Sequence, residues 1–169
     1  ERSFPAAGSD PAIIVVDGRL GHPAVSDAVA DLQTRLEADE DFEVVRRSWA
    51  AASRGDEDSM LQELHRDIVA VPFGAAMEGK AYRGRGEVMG WWREEIMANW
   101  EYFQVLPKTF ERVGDKILVT GRWNARGRES GVELDIPASW VVEVRDGKIV
   151  YWQTYTDHAQ ARRDAGLAD

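Results

Sequence analysis

The chain has 169 residues and a formal net charge of −9, because 30 Asp and Glu residues outnumber 21 Lys and Arg residues. An acidic chain repels phosphate groups, so we expect it to bind neither nucleic acid nor an anionic membrane surface. The absence of Cys excludes disulfides, thiolate nucleophiles and Cys-ligated metals. The longest apolar run, residues 12–16, is too short to cross a membrane, and no signal peptide is visible. These features predict a cytoplasmic protein with one substantial core.

The first forty residues are interpreted as an N-terminal extension of tail, short strand and amphipathic helix. The β-branched run 12–16 predicts the strand, and Ser26 begins the helix. The apolar stripe of this helix holds Val25, Val29, Leu32 and Leu36. Because acidic residues dominate 37–43, that segment predicts the end of the helix. The main domain is then expected to occupy residues 41–169.

Residues 42–100 have mainly helical periodicity, which predicts three helices. The first ends at Gly55, the second begins at Asp56, and the third follows the glycine-rich loop 79–86. A β-branched segment at 67–73 predicts one strand between the second and third helices. The inner stripe of the third helix is expected to hold Val88, Trp92, Ile96 and Trp100.

After Trp100 the apolar period changes from 3.6 to 2, which indicates strands. Four strands are predicted, at 102–113, 116–126, 132–144 and 148–156. A short terminal helix capped by Asp157 follows them. Helices followed by an antiparallel meander predict an α+β fold, in which a strongly bent sheet wraps around helices as a cone. The mouth of such a cone is the expected ligand site.

Several short segments, in this order and at this spacing, resemble the SnoaL-like branch of the nuclear-transport-factor-2-like superfamily. The resemblance extends from residue 42 to residue 167. The segments that carry it are 47–52 with Gly55-Asp56, 84–87, 130–133, 145–150, 155–157 and 165–167. Members of this superfamily include steroid isomerases, epoxide hydrolases, dehydratases, polyketide cyclases and many non-enzymes. The resemblance therefore implies a fold and leaves the reaction open.

Steroid-isomerase chemistry is not expected from this chain. A ketosteroid isomerase needs a carboxylate base and two oxyanion donors, a Tyr and a protonated Asp. The resemblance puts the Tyr at Ser48, the base at Pro72 and the second donor at Ser139. None of these three side chains can perform the required step.

Limonene-type epoxide hydrolysis is not expected either. The resemblance aligns the hydrolase motifs Arg-x-Asp and Trp-x-Asp with residues 122–124 and 152–154. Asn124 and Thr154 then replace the two carboxylates. An amide and a hydroxyl can hold a water molecule, but they cannot deprotonate it near neutral pH.

The resemblance also implies which side chains line the pocket, since alternate residues of a strand share a face. The residues expected to bind ligand are Trp49, Trp92, Thr120, Arg122, Asn124, Arg126, Asp135, Ser139, Trp152 and Thr154. The Arg side chains would favour an anionic or oxygenated ligand. If the protein is an enzyme, Asp135 is the candidate base and Arg122 would stabilise negative charge. The alternative is that Arg122 and Arg126 simply form cross-strand ion pairs with Asp135 or Glu133.

The opposite, convex face of the sheet is predicted to be apolar. Its aromatic residues are expected to be Trp123, Trp140, Tyr151 and Tyr155. Because an apolar outer face must be covered, we expect a homodimer through this face, with helix 26–36 as the rival cover.

Together these features predict a SnoaL-like protein with a small-molecule pocket for a hydrophobic ligand that is anionic or oxygenated. One alternative is a lyase, isomerase or hydrolase that acts on a small oxygenated hydrophobic compound, with Asp135 as its base. A second alternative is a non-catalytic dimeric interaction domain. No cofactor is expected, and no metal site, because His65 has no second ligand at suitable spacing.

Overall fold

The structure is a computed structural model, and it describes residues 23–168. The chain divides between Thr34 and Arg35 into two units, whose described parts are residues 23–34 and 35–168. The strand predicted at 12–16 lies outside the described residues. No helix in the described part of the chain is both long and apolar enough to cross a membrane.

The described residues form helices and a single six-stranded sheet, which confirms the predicted α+β class. The helices are α1 (Pro23–Arg54), α2 (Glu57–Glu63), α3 (Phe73–Met77), α4 (Gly84–Trp91), a π-helix (Trp92–Met97) and α5 (His158–Ala165). The strands are β1 (Leu64–Val71), β2 (Tyr82–Arg83), β3 (Trp100–Val113), β4 (Lys116–Gly127), β5 (Glu133–Arg145) and β6 (Lys148–Tyr155).

Helix α1 shows that the helix end predicted in the acidic segment 37–43 is wrong. It runs from Pro23 to Arg54, and no Gly or Pro interrupts the sequence between these ends. Acidic side chains do not break a helix, whereas Gly and Pro do. Gly55, with φ of 69°, ends it as predicted. The stripe expected to be buried is between 50% and 61% exposed at Val25, Val29, Leu32 and Leu36.

The sheet has the order β2-β1-β6-β5-β4-β3. The last four strands form the predicted antiparallel meander, and β1 joins β6 in parallel. Ser53 of α1 ties the edge strand β3 to the helix, since its hydroxyl accepts a hydrogen bond of 2.9 Å from the backbone N–H of Val105. The strand pairing thus follows the sequence pattern closely.

The inner face of the sheet packs on α1 and α4. Side chains of β4 and β5, including Val119 and Trp140, share one core with Trp49 of α1 and Val88 of α4. The outer face is covered in part by α5, where Leu118, Val141 and Tyr155 pack on Ala161 and Ala165. At this end of the sheet both faces are therefore buried.

The cross-strand register shows that the faces predicted for β4 and β5 were exchanged. Trp123 lies opposite Ile136, and Trp140 lies opposite Thr154, so these residues share the inner face. Asn124 lies opposite Asp135, and both belong to the outer face. The faces predicted for β6 are correct. Alternation groups residues into two sets but does not say which set points inward, and here the apolar Trp set does.

Candidate functional site

A cavity of about 460 Å³ lies between the inner face of the sheet and the helices of the 35–168 unit. Its size is that of a small-molecule site. All seven Trp residues of the chain line it. They are Trp49, Trp91, Trp92, Trp100, Trp123, Trp140 and Trp152.

The Trp rings and Phe103 form one connected set of ring contacts around this cavity. Trp49 and Trp140 are the closest pair, with ring centroids 4.8 Å apart. The contacts continue from Trp140 to Trp123 at 6.3 Å and from Trp123 to Phe103 at 5.9 Å. Trp152, Trp91 and Trp92 join the set through centroid distances of 6.0 to 6.4 Å, and Trp100 contacts Phe103 at 5.9 Å. Tilted and edge-to-face pairs at these distances are favourable, so the rings support each other as a wall.

Two buried hydroxyl groups lie in this aromatic wall. Ser48 is 2% exposed and Thr154 is 5% exposed, and both line the cavity. Neither side-chain oxygen has a hydrogen-bond partner among residues 23–168. Neither oxygen is among the fully enclosed unsatisfied atoms, so both hydroxyls stay accessible to a molecule inside the cavity.

Glu95 supplies the carboxylate of the lining, and the described lining residues include no Lys, Arg or His. Glu95 lies on the π-helix and is exposed, and it also lines a second pocket together with Glu94. The end of the π-helix is held from two sides. The side-chain amide of Asn99 donates to the carbonyls of Glu94 and Glu95, each at 3.0 Å. Arg128, beyond β4, donates to the carbonyls of Met97, Ala98 and Trp100 at 2.9 to 3.2 Å.

Four of the ten predicted ligand-binding residues line the cavity: Trp49, Trp92, Trp152 and Thr154. Their role as ligand contacts stays a prediction. The other six, Thr120, Arg122, Asn124, Arg126, Asp135 and Ser139, are not among the lining residues. Their strands present the Trp-bearing face to the cavity, so the six side chains lie on the outer face.

The outer-face residues have partners of their own. The Arg122 guanidinium pairs with Asp135 at 2.7 Å, and their side chains are 48% and 61% exposed. Arg126 lies 3.3 Å from Glu101, and Ser139 contacts the imidazole of His158 at 2.9 Å. The ion-pair alternative for Arg122 is thus the correct one, and Asp135 is not placed to act as a base in this cavity.

Several lining residues were missed by the sequence analysis, and one signal could have found them. The missed residues include Trp91, Glu95, Trp100, Phe103, Trp123 and Trp140. A set of seven Trp residues in 169 requires a shared apolar environment, and a cavity wall provides one. This requirement favours inward-facing Trp123 and Trp140, whereas the motif alignment predicted both on the convex face. It also removes both residues from the predicted dimer face.

The described lining offers aromatic rings, hydroxyl groups and one carboxylate residue. No group of three or more potential metal ligands occurs in the described residues. Pro72 and Ser48, which stand where a ketosteroid isomerase has its base and its Tyr, both line the cavity. Among the described lining residues, Glu95 is the one with a carboxylate side chain.

Comparisons with known proteins match this architecture. No protein with a curated description matches the chain. A nuclear-transport-factor-2-like protein of unknown function from Burkholderia pseudomallei superposes with a TM-score of 0.60 at 21% identity, covering 76% of this chain and 98% of that one. TerC co-crystallised with polyporic acid superposes with a TM-score of 0.61 at 18% identity, covering 75% of this chain and 98% of that one. A third structure is a protein from Catenulispora acidiphila with a ketosteroid-isomerase-like fold, in complex with trimethylamine. It superposes with a TM-score of 0.60 at 19% identity, covering 75% of this chain and 94% of that one.

These neighbours share the fold, and at such identities the likeness says nothing more. The family model described as the SnoaL-like domain matches residues 45–152, which is more than half of the chain. The chain therefore belongs to the SnoaL-like domain family, and its fold is that of the nuclear-transport-factor-2-like superfamily, as its sequence predicted.

Proposed function

We propose that this protein binds a small, ring-containing, largely apolar molecule in the Trp-lined cavity. The observation that carries the proposal is the convergence of all seven Trp side chains on one space of about 460 Å³. Large aromatic side chains give stacking surface, and they lose little conformational freedom when a ligand arrives. The buried hydroxyls of Ser48 and Thr154 would hydrogen-bond an oxygen or nitrogen at the inner end of the ligand.

Small molecules also accompany two of the similar structures, polyporic acid in one and trimethylamine in the other. This supports the idea that the fold accommodates small ligands. The chemistry of a ligand for this chain must come from its own lining residues. That lining is aromatic and apolar, with few polar groups.

Binding is better supported than catalysis. The enzymatic alternative relied on Asp135, which lies on the outer face in an ion pair with Arg122. The argument for an anionic ligand relied on Arg122 and Arg126, and neither lines the cavity. We therefore do not expect steroid isomerisation or epoxide hydrolysis.

The cavity also weighs against the alternative of a non-catalytic interaction domain, because a domain without a ligand has no need of an open interior. The predicted dimer face loses Trp123 and Trp140, because both side chains point inward. Tyr155 of that face is covered by α5. Homodimerisation remains a prediction, without the apolar stripe that first motivated it.

A neutral fluorescent probe tests the proposal. N-phenyl-1-naphthylamine should bind with a stoichiometry of one and with enhanced emission, because the cavity is apolar. Gly74 lines the cavity, and a Cβ at this position would meet nothing within 4 Å. Gly74→Phe should weaken probe binding at least tenfold by occupying the space.

Gly86→Phe is the matched control, because Gly86 is also an exposed helical glycine with nothing within 4 Å of a Cβ. It does not line the cavity. This variant should bind the probe like the parent protein. No saturable binding by the parent, or equal loss in both variants, would show that the probe does not use this cavity.

A further inference from the structure

The charge of the cavity lining, as well as its shape, determines which ligands it favours. Aromatic rings carry partial negative charge on their faces, and they attract cations placed over them. The lining includes nine such rings when Phe73 and Phe103 are added to the seven Trp rings. No Lys, Arg or His is among the described residues that line it.

Glu95 adds a full negative charge to this lining. Its carboxylate forms no ion pair and no hydrogen bond with any residue in 23–168. The nearest cation along the π-helix, Arg93, is engaged elsewhere, because it pairs with Glu57 of α2. Glu95 is therefore available as a counter-charge beside the cavity.

The backbone at and after Glu95 is held by hydrogen bonds from two side chains. The side-chain amide of Asn99 donates hydrogen bonds to the backbone carbonyls of Glu94 and Glu95, each at 3.0 Å. The Arg128 guanidinium holds the last carbonyls of the same π-helix. A π-helical turn inside a helix often marks a functional site, and here it carries the one charged side chain of the described lining.

From these observations we infer that the cavity selects a cationic ligand, a tertiary or quaternary ammonium group on an apolar or aromatic body. The rings would surround the ammonium group, and Glu95 would balance its charge. This inference rests on the proposed function, since it names the ligand class for the same cavity. The net charge of −9 acts in the same direction, because it raises the local concentration of cations.

The test uses three probes of nearly the same shape that differ in charge. They are benzyltrimethylammonium, neopentylbenzene, in which carbon replaces the nitrogen, and phenylmethanesulfonate. Each competes with N-phenyl-1-naphthylamine on the full chain. The ammonium probe should displace it at a concentration at least tenfold lower than neopentylbenzene, and the sulfonate should not displace it.

Glu95→Gln separates the carboxylate from the ring wall. It should weaken the ammonium probe about tenfold and leave neopentylbenzene unchanged, because Gln keeps the shape and removes the charge. Glu94→Gln is the matched control, since Glu94 is the adjacent exposed carboxylate and does not line the cavity. It should leave all three probes unchanged.

The outcomes distinguish this inference from the proposed function. If the naphthylamine binds but the neutral or the anionic probe competes as well as the ammonium, the charge selection is wrong and the cavity remains a binding site. If Glu94→Gln weakens the ammonium as much as Glu95→Gln, the effect is general surface charge and the role given to Glu95 is wrong. If the naphthylamine itself does not bind, the proposed function fails and the inference fails with it.

Discussion

At the scale of single residues, the hydroxyls of Ser48 and Thr154 support the proposed binding role of the cavity wall. A hydroxyl that faces an apolar cavity without a hydrogen bond costs the folded state part of the about 1–3 kcal/mol of a fully enclosed unsatisfied group, and neither hydroxyl oxygen is fully enclosed. Ser48 and Thr154 are both buried, and neither has a partner among the described residues. An apolar side chain of similar size would pack there at lower free energy. Function, rather than stability, is the better reason for hydroxyls at these positions.

This reasoning predicts that Thr154→Val leaves the unliganded protein as stable as the parent or more stable by up to about 1 kcal/mol. The substitution keeps the branched shape and removes only the unpartnered hydroxyl. Urea unfolding monitored by circular dichroism would measure the difference. Ser139→Ala is the contrasting variant, because the Ser139 hydroxyl contacts His158 at 2.9 Å and its removal should destabilise the protein. A loss of more than about 1 kcal/mol in Thr154→Val would mean that the hydroxyl is already satisfied.

At the scale of elements, the strands could be predicted well from sequence, but their facing could not. The period-2 pattern placed β3 to β6 within two residues of their observed ends. The inward set of β4 and β5 was assigned from a motif alignment that put Arg122 and Asn124 in the pocket. A two-residue period fits both possible orientations of these strands equally well. Only the need to bury Trp123 and Trp140 distinguishes the two orientations. The same limit applies to α1, where acidic composition was mistaken for a helix end.

The pairing of β3 with β4 depends on one glycine. A Cβ at Gly121 would lie 2.1 Å from the carbonyl oxygen of Leu106 and 2.9 Å from the Cα of Pro107. These are backbone atoms of β3, at the point where the register shifts between Pro107 and Thr109. Only glycine permits this approach of the two strands.

Gly121→Ala should therefore destabilise the protein by about 1–3 kcal/mol or more, because β3 must move away from β4. Gly86→Ala is the matched control, since nothing lies within 4 Å of a Cβ there and the residue is helical. That variant should be neutral or slightly stabilising. Chemical denaturation of both variants decides the matter, and equal stabilities would show that the strands are not in contact at Gly121.

At the scale of the whole molecule, the sheet has two faces with different tasks. The inner face carries the Trp-lined cavity, whereas the outer face is covered by α5 at Leu118, Val141 and Tyr155 and exposed at Arg122 and Asp135. The fold class and family could be predicted from short segments in the right order, because those segments form the turns and helix ends that position the strands. The Trp rings of the cavity wall come from α1, α4, the π-helix and four strands. Such an assembly depends on long-range packing, which a local pattern does not contain.

The part of the outer face that α5 covers makes the stability of the domain sensitive to alkaline pH. Tyr155 is 7% exposed, and its phenol donates a hydrogen bond of 2.9 Å to the Asp164 carboxylate of α5. Burial first, and this carboxylate second, raise the pKa of Tyr155 well above its ordinary value. Since the neutral phenol is favoured in the folded state, its contribution is fully present below about pH 10 and is lost as the pH rises further. Above that pH the unfolded chain ionises and the folded protein does not.

We therefore predict that the free energy of unfolding falls above about pH 10, with Tyr155 contributing up to about 1.4 kcal/mol per pH unit. Tyr155→Phe should be less stable than the parent at pH 8, because it loses the hydrogen bond to Asp164. The same variant should lose less stability between pH 9.5 and pH 11, because no phenol at this position can ionise on unfolding. Burial raises the pKa of Tyr151 as well, so part of the alkaline slope should persist in the variant. Urea unfolding at several pH values would compare the two slopes. Equal slopes would show that Tyr155 ionises as readily in the folded protein as in the unfolded chain, and that α5 does not seal this face of the sheet.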